Sequence, residues 1–218
     1  MTADQRVEPR TCAFGPIVVS YDDRVLAPRH WTLLQSEWAA DAARISGPGP
    51  LLELFAGAGH IGLVTAILAE RPIIQVEADA TAARYAAENA ERAGQGSAVE
   101  VRKTDVDHAL RPDERFSVII ADPPYLPTEH VDRWPGDPIL AIDGGPDGLA
   151  HIPRVLRLAV DHLHDDGWLL LQVAGVEQAA AVVTEALRTA PGLRHVETRC
   201  YDVDRGVVAF RRTETDQR

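Results

Sequence analysis

From residue 51 onward the chain alternates short apolar runs with stretches of helical periodicity, and this rhythm restricts the fold more than any other feature. Runs at 51–55, 73–77, 99–102, 117–121 and 168–173 read as strands, with helical segments between them at 61–70, 80–93, 152–163 and 177–189. Near-continuous apolar strands separated by helices are the sequence form of a parallel sheet covered on both faces. The expected fold is therefore α/β, a doubly wound and mostly parallel sheet. Two last strands, near 195–201 and 206–211, are expected to close it as an antiparallel hairpin.

Before that core, residues 14–28 are expected to form a short amino-terminal β-hairpin, with Asp22-Asp23 near its turn. A helix from 32 to about 45 follows and stops at the breaker cluster Gly47-Pro48-Gly49-Pro50. Residues 1–13 and 213–218 are polar and are expected as frayed tails around one domain spanning 14–212. The Gly/Pro/Asp-rich stretch 126–148 interrupts the rhythm, and loops of that length in compact domains are usually functional or disordered. Its place after a core strand suggests a substrate lid.

At 218 residues the chain is long enough for one well-buried domain. Twenty-two Lys and Arg against 33 Asp and Glu leave a net charge of -11, which counts against a broad phosphate-binding surface and so against nucleic acid as a partner. Cys12 and Cys200 stand far apart without metal-ligand spacing, so no metal is expected. No run approaches the roughly 20 apolar residues of a membrane span, and the first residues lack the apolar core of a signal peptide. A cytoplasmic protein is expected.

The stretch Glu53-Leu54-Phe55-Ala56-Gly57-Ala58-Gly59-His60-Ile61-Gly62 joins the first core strand to its helix. Glycines there let backbone approach a ligand, and the helix start offers free N–H groups. Phe55, Gly57 and Gly59 are accordingly candidate cofactor contacts. Glu77 ends the next strand 20 residues past Gly57, where a carboxylate can take both hydroxyls of a ribose, with Ala78 beside it. Those features suit any adenosine cofactor. Glu53, just before the loop, suits the cationic amino end of S-adenosylmethionine better than a pyrophosphate, and Asp105 is placed to accept from an adenine amine.

Asp122-Pro123-Pro124-Tyr125 follows the apolar run 116–121 and decides between cofactors. Two prolines at a strand end cannot donate to a sheet ladder, so the backbone leaves the sheet with carbonyls free to accept. An acid before them and an aromatic after them make a pocket for a flat group bearing NH2. Asp122, Pro123 and Tyr125 are the candidate catalytic residues, with Asp122 also facing the cofactor. Trp31 and Trp134 are either stacking platforms or lid packing.

With these residues the chain resembles the class I S-adenosylmethionine-dependent methyltransferases, and among them the protein-(glutamine) methyltransferases that modify peptide-release factors. Pro28-Arg29-His30-Trp31-Thr32 looks like that family's PRxxT element, which implies Thr32 beside the cofactor methionine. Gly144-Gly145-Pro146-Asp147-Gly148-Leu149 looks like its lid segment, Gly175-Val176-Glu177-Gln178 its GxxQ element, and Asp204-Arg205-Gly206-Val207-Val208 its closing strand. The resemblance implies S-adenosyl-L-methionine as cofactor and a protein glutamine side-chain amide, or a related small-molecule amide, as acceptor. Two departures stand out. Asp122 replaces the family's usual Asn, and this DPPY motif is more typical of enzymes acting on base amines of RNA or DNA. The family's helical amino-terminal domain is not matched, which leaves a partner subunit as a candidate source of recognition. A base-amine methyltransferase and a non-catalytic cofactor-binding subunit are the alternatives.

Overall fold

The computed structural model describes residues 8–213. Seven strands form the main sheet: β3 (Leu51–Leu54), β4 (Ile73–Glu77), β5 (Val99–Lys103), β6 (Phe116–Ala121), β7 (Leu163–Val173), β8 (Leu193–Asp202) and β9 (Arg205–Arg212). Their order is β5-β4-β3-β6-β7-β9-β8, with β5 through β7 parallel and β9 antiparallel to both neighbours. The expected doubly wound sheet with a closing hairpin is the observed one.

Strand side chains alternate between faces, so each core strand feeds two cores. Leu52, Leu54, Ile119, Ala121, Leu169 and Leu171 pack on one side with α5 (Ile152–His162) and α6 (Gly175–Thr189). Leu51, Ile73, Val118, Ile120 and Leu170 pack on the other with α1 (Leu33–Ile45), α2 (His60–Ala69) and α3 (Ala80–Arg92). Two of the helices show why they form. Asp79 caps α3 by accepting from Thr81 N and Ala82 N, both at 2.8 Å, worth about 1 kcal/mol. In α5, Ile152, Val155, Leu156 and Ala159 recur at helical spacing and are buried, while Arg154 and Arg157 face outward.

The amino-terminal hairpin is real but displaced. β1 (Arg10–Phe14) pairs antiparallel with β2 (Ile17–Tyr21) around Gly15-Pro16, and Gly15 has φ +52°, a conformation that favours glycine. The turn is thus not at Asp22-Asp23, and strand structure begins within the segment expected to fray. Residues 1–7 and 214–218 of the expected tails lie outside the described residues. Asp22 is buried instead of turn-exposed. Arg24 and the Tyr85 hydroxyl, at 2.9 Å, hold its carboxyl down at about 2.

Candidate active site

Strand order changes direction between β3 and β6, and open α/β sheets bind ligands at the carboxyl ends of such a switch point. The glycine loop leaves β3 on one side of that crevice, and Asp122 leaves β6 on the other. Glu77 and Asp105 follow the ends of β4 and β5. Topology therefore brings the glycine loop, Glu77, Asp105 and Asp122 to one edge of the sheet.

The loop is built to hold its backbone open. Phe55, Gly57 and Gly59 have φ of 61°, 56° and 76°, and a Cβ on Gly57 would meet nothing within 4 Å. Glu77 Oε2 accepts from Gly57 N at 2.7 Å and Oε1 from Asp79 N at 2.8 Å, which fixes its carboxylate against the loop. Burial raises its pKa against the pull of those bonds. Each oxygen keeps a further lone pair for a ligand hydroxyl. The loop and Glu77 together fit an adenosine-type group.

Glu53 is turned inward. It is 1% exposed, accepts from Gly62 N at 3.0 Å and Gln75 Nε2 at 2.7 Å, and burial lifts its pKa to about 8. Its oxygens support the start of α2, where a Cβ on Gly62 would lie 2.3 Å from Oε2. Asp105 caps a 3₁₀ turn through Asp107 N and pairs with Arg154 at 2.8 Å. Ala78 is exposed beside Glu77.

Next to the crevice lies a cavity of about 720 Å³ lined by Thr32, Asp122, Pro123 and Tyr125 among others. These four predicted residues share the cavity; Glu53, Phe55, Gly57, Gly59, Glu77, Ala78 and Asp105 do not line it. Thr32 is buried and donates to Arg29 O at 2.8 Å. Asp122 has no hydrogen-bond partner among the described residues, and desolvation raises its pKa to about 7. Burial and the nearby Asp122 charge raise the Tyr125 hydroxyl as well. Gln35, fully buried on α1, donates to Ala121 O at 2.9 Å and Leu170 O at 3.0 Å, tying the end of β6 to the middle of β7.

One cavity wall is a stack that motif reading did not find. The Arg205 guanidinium lies 4.0 Å from the Trp31 ring centroid, and Arg29 lies 5.8 Å from both Trp31 and Trp134. Asp137 pairs with Arg29, and Asp202 with Arg205 at 2.6 Å. Stacking within the wall occupies Trp31, so Tyr125 is the aromatic left beside Asp122. The expected lid stretch, containing a 3₁₀ segment (Thr128–Arg133) and α4 (Ile139–Ile142), covers this cavity from the side.

Two solved structures have this architecture. The hMettl16 catalytic domain in complex with the MAT2A 3'UTR hairpin 1 superposes with a TM-score of 0.71, covering 89% of this chain and 73% of that one at 16% identity. A methyltransferase from Pyrococcus furiosus gives 0.69 over 92% of this chain and 91% of that one, at 18% identity. The fold is that of the class I methyltransferases.

Within that class I methyltransferase fold, a family described as Conserved hypothetical protein 95 matches residues 37–133. By sequence the chain is similar to the release factor glutamine methyltransferase of Caulobacter vibrioides, 32% identical over 197 residues, which cover 85% of this chain and 65% of that protein. It is 34% identical over 167 residues to the one from Mycolicibacterium smegmatis, covering 72% and 57%. The ribosomal protein uL3 glutamine methyltransferase of Bradyrhizobium diazoefficiens is 32% identical over 165 residues, covering 70% and 51%. The chain thus spans between about half and two thirds of these relatives. No helix among the described residues is long and apolar enough to cross a membrane.

Proposed function

We propose that this chain is an S-adenosylmethionine-dependent N-methyltransferase acting on the side-chain amide of a protein glutamine. The observation that carries the reading is Asp122: an unpartnered carboxylate in a cavity, at the switch point of a class I methyltransferase sheet, followed by two prolines and a tyrosine. The glutamine acceptor is supported by the names of the sequence relatives. Bound S-adenosylmethionine supplies an electrophilic methyl group. Thr32, Asp122, the glycine loop and Glu77 are the residues that hold it in this reading, with Glu53 bracing the loop from behind.

An amide nitrogen is a poor nucleophile because its lone pair is delocalised into the carbonyl. Asp122 accepts one N–H and the Pro123 carbonyl the other, which aims the lone pair at the methyl carbon, while Tyr125 packs on the flat group. Such orientation supplies on the order of 7 kcal/mol or more of barrier lowering. Bound S-adenosylmethionine would supply the methyl group and its sulfonium sulfur the leaving group, and Asp122 would take the proton the nitrogen releases. With its pKa raised to about 7, that carboxylate is a better base than a solvated one.

Base amines of nucleic acid gain less support. A phosphate-binding stripe would have to draw on Arg84, Arg92, Arg102 and Lys103, and of these Arg84 pairs with Glu88 and Arg102 with Glu114, both at 2.7 Å. S-adenosylmethionine is expected to raise the melting temperature by mass action and NAD to leave it unchanged. Asp122→Ala is expected to keep most of that shift, through Glu77 and the glycine loop, while losing turnover by on the order of 10²- to 10⁴-fold. A shift with NAD alone, or a fully active Asp122→Ala, contradicts the reading.

A further inference from the structure

Prolines at 123 and 124 leave the proposed acceptor site with no N–H of its own over two consecutive residues, so the backbone there donates no bond that would lock it to the sheet. Its position has to be imposed from outside. Two kinds of contact do so. Glycines of the expected lid press directly on it: a Cβ on Gly144 would lie 2.7 Å from Pro124 O and 2.8 Å from Tyr125 Cα, and one on Gly148, at φ +74°, 2.3 Å from Tyr125 O. Leu126 N also donates to Ile142 O at 2.9 Å, and Gly144 N to Leu126 O at 2.8 Å.

The second contact is Gln178, on the first turns of α6. Its Nε2 donates to Tyr125 O at 2.9 Å and to Gly148 O at 3.2 Å, while its Oε1 accepts from Ala174 N at 2.7 Å. Among the described residues it is the one side chain that donates to the backbone of residues 122–125. A single amide thereby joins three pieces of chain that are distant in sequence: the tetrapeptide, the end of the lid stretch, and the link from β7 into α6. We infer that Gln178 is a positioning residue, which holds Tyr125 and the lid in the register the methyl acceptor needs. The inference rests on the methyltransferase reading only for its kinetic consequence.

The carboxamide suits this duty because it both donates and accepts. Glu in its place keeps the acceptor for Ala174 N but turns a carboxylate toward two carbonyl oxygens; Leu keeps the bulk and loses both functions. Gln178→Leu and Gln178→Glu separate the donor role from plain support of the α6 start. Amide hydrogen exchange across 122–148 reads the clamp without turnover, and methyl transfer to a purified release factor reads its consequence. Both variants are expected to speed exchange at the Leu126, Gly144 and Gly148 amides relative to the β3–β6 core. The kcat is expected to fall on the order of 10²-fold, the penalty for a displacement of about 1 Å, with affinity for S-adenosylmethionine unchanged. Unaltered exchange in Gln178→Leu overturns the clamp, as does full activity in Gln178→Glu beside an inactive Gln178→Leu, which would assign the effect to the Ala174 bond. If the unmodified chain transfers no methyl group, the methyltransferase reading falls while the exchange result still decides the clamp.

Discussion

Asp122 gains its chemistry from isolation. Enclosed by the cavity without a hydrogen-bond donor, its carboxyl keeps a proton up to a pH of about 7, and the form proposed to accept N–H is the ionised one. Turnover should therefore rise with pH through about 7 and then level. Asp122→Asn removes the titration, and a pH–rate profile that keeps the same rise in that variant would place the titrating group elsewhere. Glu53 makes a separate prediction about stability. Its pKa is raised from 4.5 to about 8, so the folded chain holds a proton that the unfolded chain gives up as pH rises from about 4.5. That contribution is full below the unfolded value and is lost as pH climbs through about 8. Glu53→Gln should flatten the decline in denaturant midpoint over this interval, and an equally steep decline contradicts the assignment. The identity of both acids was legible in the sequence. Their burial was not, because Glu53 depends on Gln75, a neighbour across the sheet from the next strand.

At the scale of elements, the core strands and helices were legible to within a residue or two over most of their ends, since apolar runs and helical stripes are local signals. The amino-terminal hairpin was not. Its strands carry weak alternation, and its anchor is remote: Ser20 exchanges two hydrogen bonds with Asn89, at 2.8 and 3.0 Å, and Asn89 also donates to Ala58 O at 3.0 Å in the glycine loop. Hairpin, α3 and loop thus share one buried amide. Asn89→Ala strands buried partners on all three and should cost about 1–3 kcal/mol of stability. It should also weaken S-adenosylmethionine binding measured by calorimetry, and a destabilised variant with native affinity would uncouple hairpin from loop. The wall of Trp31, Arg29, Trp134 and Arg205 was equally hidden, because Arg205 reaches Trp31 from the far β8–β9 turn.

Over the whole molecule, strand order turns the dispersed sequence signals into one site. The parallel run β5 to β7 aligns the carboxyl ends that carry Asp105, Glu77, the glycine loop and Asp122 along a single edge. The closing hairpin and the 126–148 stretch then wall a cavity beside that edge. The placement of the proposed cofactor residues along that edge was readable from loop and strand spacing. The acceptor half takes its walls from segments that only the fold brings together. The most direct measurement incubates the chain with a purified release factor and S-adenosylmethionine carrying a labelled methyl group, then locates the label by peptide mass spectrometry. The account predicts one methyl on a glutamine side-chain nitrogen, absent when Asp122→Ala replaces the unmodified chain. No methyl on any glutamine side chain, or methyl on glutamine at an undiminished rate with Asp122→Ala, would contradict it.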